Sequence, residues 1–215
     1  MTNSGNRRHS YSRAEYVSDL AVHLAGLVAV AAAVPVLISL AAPIEGDGGH
    51  MAAALVYGAC LAAMILCSAL YNIFPHPDWE WLLQRMDHAA IYLKIAGTYT
   101  TFVLVAGQGF ALATGLWLAA AMGISLKLIA PKRWRWVAIA LYLGMGWSAV
   151  VLGWDIFAAL PTPVILLVAS GGLLYTIGVV FHVWEQLPFH NTIWHVFVLA
   201  ATFSIYAGVV VAMVA

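Results

Sequence analysis

The chain has 215 residues, of which 64% are hydrophobic and only 8% are charged. Soluble globular domains carry about a quarter charged residues, so this composition excludes a water-soluble fold. Nine basic and nine acidic residues balance to a net charge of zero. The overall charge therefore gives no sign of a nucleic-acid partner, and only the placement of the basic residues is informative.

The first apolar run follows a polar, arginine-containing segment. Residues 1–18 are polar, and the apolar run then extends from Leu20 to Ala42. This run is longer than the hydrophobic region of a secretory signal peptide, and Asp19 and His23 interrupt its start. We therefore predict a first transmembrane helix rather than a cleaved leader, preceded by a polar cytosolic segment over residues 1–18.

Apolar stretches then recur along the rest of the chain with short polar, Pro- or Gly-containing interruptions. A helix of about 20 residues crosses the hydrocarbon core of a bilayer and satisfies its own backbone hydrogen bonds. Residues 19–215 are therefore predicted to form one all-α domain, an integral membrane bundle of seven transmembrane helices. The predicted spans are Asp19–Ala42, Met51–Phe74, Asp87–Ala106, Phe110–Ile129, Trp136–Gly153, Pro163–Gln186 and Thr192–Ala215.

The basic residues predict the orientation of this bundle. If the N-terminus is cytosolic, eight of the nine basic residues lie at the cytosolic side and none lies in an opposite loop, which follows the positive-inside rule. We therefore predict a cytosolic N-terminus and an extracytoplasmic C-terminus, the reverse of a G-protein-coupled receptor. The residues concerned are Arg7, Arg8, Arg13, Arg85, Lys127, Lys132, Arg133 and Arg135.

Polar residues collect at the predicted cytosolic ends of the helices. Glu15, Asp19 and His23 recur at intervals of four, which places them on one face of the first helix. Buried ionisable side chains are expensive in a membrane, so their convergence predicts a shared functional cavity. The other contributors are Ser68 and Asn72 on the second helix, Asp87 and His88 on the third, His182 and Glu185 on the sixth, and Asn191 and His195 on the seventh.

Several of these residues also have a purely structural interpretation. Glu15, Glu185 and His190 can sit among lipid headgroups, Asp87 can serve as the N-cap of the third helix, and His182 can donate to a carbonyl across a helix interface.

Lys94 presents a separate question, because it lies deep inside the third predicted span, about 10 Å from its start by helical rise. It can extend towards the cytosolic surface or pair with Asp19 or Asp87. The sequence leaves these alternatives open.

The order of these motifs resembles the hemolysin III family, the bacterial branch of the progestin and adipoQ receptor superfamily. The resemblance implies seven helices, a cytosolic N-terminus and the inner (plasma) membrane of a bacterium. It rests on Glu15, Asp19 and His23, on Ser68-Ala-Leu-Tyr71, on Asp87-His88 with Ile95-Ala-Gly-Thr-Tyr99, on Gly171-Gly-Leu-Leu-Tyr-Thr176, and on Ile193-Trp-His195.

The same resemblance implies a zinc site that is degenerate here. Metal-binding members hold zinc with three histidines, and the matching positions in this chain are Asn72, Asn191 and His195. Asp87 matches the aspartate that holds a zinc-bound water, and Ser68 matches an accompanying serine. A neutral amide is a poor zinc ligand beside imidazole. We therefore expect no resident cofactor and clearly less than one zinc ion per chain.

Other histidines offer alternative ligands. His76 lies one helical turn beyond Asn72, and His88 is adjacent to Asp87, so both are able to join His195 if the helix ends are irregular. His190 is rotated about 100° from the face of its neighbour Asn191 and does not restore the spacing.

Three functional classes follow from these residues. The leading prediction is a cavity that acts on or senses membrane lipid, or supports membrane homeostasis. In its enzymatic form it hydrolyses a lipid amide or ester, with Asp87, His195 and Ser68 as catalytic candidates and Asp87 within hydrogen-bonding reach of His195. The alternatives are a non-enzymatic pore, transport or haemolysin-like protein, and a structural membrane component. Membrane lipid is the predicted partner and nucleic acid is not, while the natural ligand and the oligomeric state are undetermined.

Overall fold

The computed structural model describes residues 12–44, 48–74, 77–129 and 133–215. Within these ranges the protein consists of eight helices and contains no strand. Seven of the helices are long and apolar enough to cross a membrane, which confirms the predicted all-α, seven-span architecture. The helices are α1 (Arg13–Ala41), α2 (Gly49–Ile73), α3 (Glu80–Ala106), α4 (Phe110–Ile129), α5 (Arg135–Leu152), α6 (Trp154–Ala158), α7 (Thr162–Val183) and α8 (His190–Val214).

Helix α1 begins six residues before its predicted span, at Arg13, because a capping box starts it. The Ser12 hydroxyl accepts a hydrogen bond from the Glu15 amide at 3.2 Å, and the Glu15 carboxylate accepts one from the Ser12 amide at 2.8 Å. This reciprocal pair satisfies backbone donors that the first turn of a helix otherwise leaves without partners. Residues 13–18 of the predicted polar segment are therefore the first turns of α1.

Helix α3 also begins before its predicted start. It starts at Glu80, with Trp79 in the N-cap position and no side-chain capping bond. Glu, Leu, Gln, Arg and Met are strong helix formers, and they carry the helix back through residues 80–86. Asp87 therefore lies inside α3, and its interpretation as an N-cap is wrong.

The connections opposite the start of α1 are compact. Gly107 ends α3 in the left-handed conformation, with φ 67°, as glycine at a helix C-terminus does. Gly109, with φ 86°, packs so closely against Ile156 that a Cβ at position 109 would overlap the isoleucine side chain. Ile156 belongs to the short helix α6, which fills a stretch that the sequence presented as a loop.

Helix α3 runs through the centre of the bundle. It packs most extensively on α2, as α7 does on α8, while α1 contacts both α2 and α8. Its buried side chains include Tyr92, Ala96 and Phe102, each no more than 1% exposed. The first and last spanning helices are therefore neighbours, and this contact brings distant parts of the sequence together.

One end of the bundle, called here the basic end, is where α1, α3, α5 and α8 begin and α2, α4 and α7 end. The Tyr16 hydroxyl donates to the Ile73 carbonyl at 2.9 Å, and Arg85 Nε donates to the Leu128 carbonyl at 3.1 Å. These bonds join helix starts to helix ends at one level. Apart from Lys94, the described basic residues lie here: Arg13, Arg85, Lys127, Arg133 and Arg135. Arg7, Arg8 and Lys132 fall outside the described residues.

Candidate functional site

Asp19 is the centre of the polar network near the basic end. It is only 9% exposed, and both carboxylate oxygens accept hydrogen bonds from α8. His195 Nδ1 lies 2.6 Å from Oδ1, and Asn191 Nδ2 donates to Oδ2 at 3.1 Å. The two donors are four residues apart and share one face of α8. These bonds offset the cost of burying a carboxylate among apolar helices.

His23, one turn after Asp19, connects this carboxylate to α2. Its Nδ1 donates to the Asp19 backbone carbonyl at 2.8 Å, so in the neutral ring Nε2 is the acceptor. Nε2 lies 3.2 Å from the Ser68 hydroxyl, which therefore donates to it. The Asn72 amide donates to the Ser68 carbonyl at 2.9 Å and lies 3.4 Å from the Ser68 hydroxyl. A continuous chain of polar contacts thus runs from Asn72 to Asp19.

Asp19, His23 and His195 form a compact group, called here the Asp19 cluster. The two imidazole rings meet edge to face with centroids 4.3 Å apart. One ligand-type atom from each residue lies within 4.8 Å of the others, and all three residues are buried. Two imidazoles and one carboxylate at this spacing are a possible metal-binding group.

A large cavity of about 1470 Å³ lies inside the bundle beside this cluster. Pockets for drug-sized ligands occupy roughly 300–1,000 Å³, so this one has room for a lipid-sized molecule. The apolar part of its wall includes Met64, Ile65, Ile95, Phe102, Val168 and Ile205. The polar part includes His23, Ser68, Asn72, Asp87, His88, Asn191 and His195. The Asp19 carboxylate is hydrogen-bonded to two of these polar residues, Asn191 and His195.

Comparison with known proteins shows the family. The family model described as Haemolysin-III related matches residues 14–206. The chain belongs to the haemolysin III family. It is 32% identical to Hemolysin-3 of Bacillus cereus, over 94% of this chain and 93% of that protein. It is also 32% identical to the Hemolysin-3 homolog of Bacillus subtilis, over 89% and 91% of the two chains.

A human relative extends the likeness to the wider superfamily. The human monocyte to macrophage differentiation factor is 29% identical over 69% of this chain and 65% of its own length. The resemblance read from the sequence motifs, to haemolysin III and to the progestin and adipoQ receptor superfamily, is therefore confirmed.

The zinc positions inferred from that family resemblance do not form a ligand set in this haemolysin III protein. The amide nitrogens of Asn72 and Asn191 donate to Ser68 and Asp19, so both asparagines serve as hydrogen-bond donors. Only His195 of that set belongs to the Asp19 cluster. The residues at these three positions therefore do not fit a zinc ion, whereas the Asp19 cluster offers a different group of donors.

Other predicted site residues take varied places. Asp87 and His88 line the cavity, and the Tyr142 hydroxyl donates to the His88 carbonyl at 3.0 Å. His195 Nδ1 pairs with Asp19, while the predicted contact between Asp87 and His195 stays a prediction. The Glu15 carboxylate accepts hydrogen bonds from the backbone amides of two N-cap residues, Phe189 of α8 at 3.0 Å and Ser12 of α1.

The alternative histidine ligands are only partly described. His88 and His190 line the cavity, and His88 Nδ1 is buried without a hydrogen-bond partner among the described residues. His182 also lines the cavity and stacks obliquely on Trp194, with ring centroids 5.0 Å apart. His76 lies outside the described residues.

The sequence placed Asp19 and His23 in the cavity but did not predict them as members of a possible metal-binding group. Their spacing of four on one helix face was a readable signal. Their third partner, His195, follows Asp19 by 176 residues, and only the packing of α1 against α8 brings them together.

Proposed function

We propose that this haemolysin III protein is a metal-dependent hydrolase that cleaves an amide or ester bond of a membrane lipid inside its cavity. The observation that carries the proposal is a buried carboxylate and two imidazoles within 4.8 Å of one another. They adjoin a lipid-sized cavity whose wall is largely apolar. A polar reaction centre beside an apolar chamber suits a substrate with one polar bond and a hydrocarbon tail.

The donor chemistry of the Asp19 cluster fits a divalent ion such as zinc. Catalytic zinc sites use three histidine or carboxylate ligands and keep one position open. Nδ1 of both His23 and His195 contacts an oxygen of Asp19, so each ring would bind a metal through Nε2. At His23 the metal would replace the Ser68 hydroxyl, which lies 3.2 Å from Nε2, as the partner of that atom. Contacts of this kind fix the tautomer of metal-binding histidines. Asp19 then acts either as the third ligand or as the acceptor that orients His195.

The chemistry can be divided among the residues of the wall. Asp19, His23 and His195 would hold a divalent ion, which would supply Lewis-acid chemistry for the lipid carbonyl and for water. We assign Asp87, on the α3 wall, as the general base, and the Ser68 hydroxyl as the group that orients the lipid carbonyl. Asn72 holds Ser68 in place through its hydrogen bonds. The apolar wall accepts the hydrocarbon chain and excludes bulk water.

The proposed setting is the inner membrane of a bacterium, with the basic end in the cytosol because basic residues favour that side. The Asp19 cluster then lies in the cytosolic half of the bilayer. A reporter that is active only outside the cytosol, fused after Ala215, should give signal. The same reporter fused after Ile129, at the end of α4, should be silent. A silent fusion at Ala215 in well-expressed protein would reverse the orientation.

Metal analysis tests the proposal. The proposed site at the Asp19 cluster differs from the three positions on which the sequence-based expectation of less than one zinc ion per chain was based. Protein purified in detergent after zinc-replete expression should carry about one zinc ion, as three-ligand sites do. His23→Ala and His195→Ala should lose it, because each removes one of two imidazole ligands. His88→Ala is the matched control, since it removes a cavity histidine outside the Asp19 cluster and should leave zinc in place.

The same preparations should be assayed with N-acyl and O-acyl lipids. Release of fatty acid by the wild type and by His88→Ala, but not by His195→Ala, supports the hydrolase. Zinc retained in His195→Ala, or zinc-loaded wild type that cleaves none of these lipids, contradicts the metal site or the reaction respectively.

A further inference from the structure

Lys94 lies deep in the same cavity and takes no part in the Asp19 cluster. It is 4% exposed, lines the cavity, and follows Asp87 by seven residues, or about 10 Å along α3. Its Nζ donates to the Thr98 hydroxyl at 2.9 Å, one turn farther from the basic end. The side chain therefore does not extend towards the basic end. No carboxylate of the described residues lies within 4 Å of Nζ, so it pairs with neither Asp19 nor Asp87.

The immediate surroundings of Nζ provide two acceptors. The Thr98 hydroxyl donates its own hydrogen to the Lys94 backbone carbonyl at 2.8 Å, which leaves its oxygen to accept from Nζ. The face of the Tyr57 ring, whose centroid is 4.0 Å from Nζ, is the second acceptor.

This count decides between the two forms of the side chain. An ammonium has three N–H donors, whereas a neutral amine has two and keeps a lone pair. The neutral amine is thus fully satisfied by Thr98 and Tyr57, while a buried ammonium has neither a third hydrogen-bond acceptor nor a carboxylate within 4 Å among the described residues. An uncompensated buried ion costs several kcal/mol.

We propose that Lys94 is a second reactive site, an amine nucleophile that forms an imine with an apolar long-chain aldehyde. Lysines desolvated in apolar pockets are nucleophilic because the amine is unprotonated. The Nζ lone pair attacks the carbonyl carbon and a C=N bond forms. The carbonyl oxygen leaves as water with the two hydrogens from Nζ, so no oxidant or reductant is required. This site is independent of the proposed hydrolase because it uses neither the Asp19 cluster nor a metal.

The wall beyond Lys94 suits a hydrocarbon chain. Thr98 and Phe102 follow Lys94 at intervals of four, so the three residues share one face of α3, and all three line the cavity. Phe157, Val168 and Ile205 also line it. An aldehyde whose carbonyl reaches Nζ can therefore place its chain among aromatic and aliphatic side chains.

Reductive trapping tests this proposal. Purified protein in detergent is incubated with hexadecanal and sodium cyanoborohydride, and peptide mass mapping locates the hexadecyl group. Most of the adduct should map to Lys94. Lys94→Arg, which keeps a basic side chain but forms no imine, should lose it.

Lys127→Arg is the matched control, because Lys127 also lines the cavity, is 6% exposed, and lies 6.0 Å from the centroid of the Tyr142 ring. It should keep the adduct at Lys94.

The mapping of wild-type protein decides the outcome even if a variant fails to fold. Reductant-dependent modification of Lys94 in folded protein supports the proposal. An unmodified Lys94 beside modified Lys127 overturns it. Hexadecanoate binding that requires Lys94, without any adduct from hexadecanal, also overturns it, since Lys94 is then an ammonium that binds a carboxylate.

Discussion

The two polar regions of the cavity differ in how many hydrogen-bonding partners surround their ionisable side chain. Near the basic end, the Asp19 carboxylate accepts hydrogen bonds from His195 and Asn191. Deeper in the bundle, Lys94 has one hydroxyl and one aromatic face around it and no carboxylate among the described residues. The first arrangement stabilises a carboxylate with hydrogen-bond donors, whereas the second leaves an amine with a free lone pair.

The two regions differ in how many helices contribute hydrogen-bonding side chains to each. The Asp19 cluster joins α1 to α8, and Ser68 on α2 contacts it through His23. A network that includes three helices positions its members independently of any ligand. Lys94 instead has two acceptors, the Thr98 hydroxyl on its own helix and the face of the Tyr57 ring on α2. We therefore expect the cluster to support the fold and Lys94 to be dispensable for it.

The largest expected effect on stability comes from removing the carboxylate of the cluster. Asp19→Ala leaves the His195 and Asn191 donors without their acceptor. Each buried donor left unpaired costs about 1–3 kcal/mol, so the loss should be about 2–6 kcal/mol. Unfolding by SDS in mixed micelles measures it.

Asp155→Ala is the control for this experiment, because Asp155 is an exposed carboxylate in α6. Its effect should stay within about 0.5 kcal/mol. Equal stability of Asp19→Ala and wild type would mean that the cluster does not hold α1 to α8.

Hydropathy and length predicted the seven spanning helices, because a helix in lipid must be long and apolar. They did not predict the helix starts at Arg13 and Glu80. At both places polar or amphipathic turns continue the helix beyond its apolar run, through a capping box in α1 and strong helix formers in α3. An apolar run shows which residues can enter the lipid. It does not show where the helix begins, because polar residues outside the lipid can also be helical.

The site was predictable only along single helices. The shared face of Asp19 and His23 follows from their spacing, as does that of Asn191 and His195. Which faces meet depends on the contact between α1 and α8, which no local pattern encodes. The direction of the Lys94 side chain could not be predicted from the sequence either, because a long side chain can extend towards either end of its helix. In the structure it lies against the Tyr57 ring on α2.

The smallest expected effect is that of Lys94→Met, and it is the sharpest check on the comparison. Methionine has nearly the same length and fills irregular apolar space well. The change removes one hydrogen bond to Thr98 and also the cost of burying an amine. Replacing a buried ionisable group by an apolar one of similar volume is often neutral or stabilising. We therefore expect a stability change of less than about 1 kcal/mol, measured by the same SDS titration. Zinc content should be unchanged, because the Asp19 cluster is intact. A loss of stability as large as that of Asp19→Ala would show that Lys94 supports the bundle. The difference between Lys94 and the Asp19 cluster would then not exist.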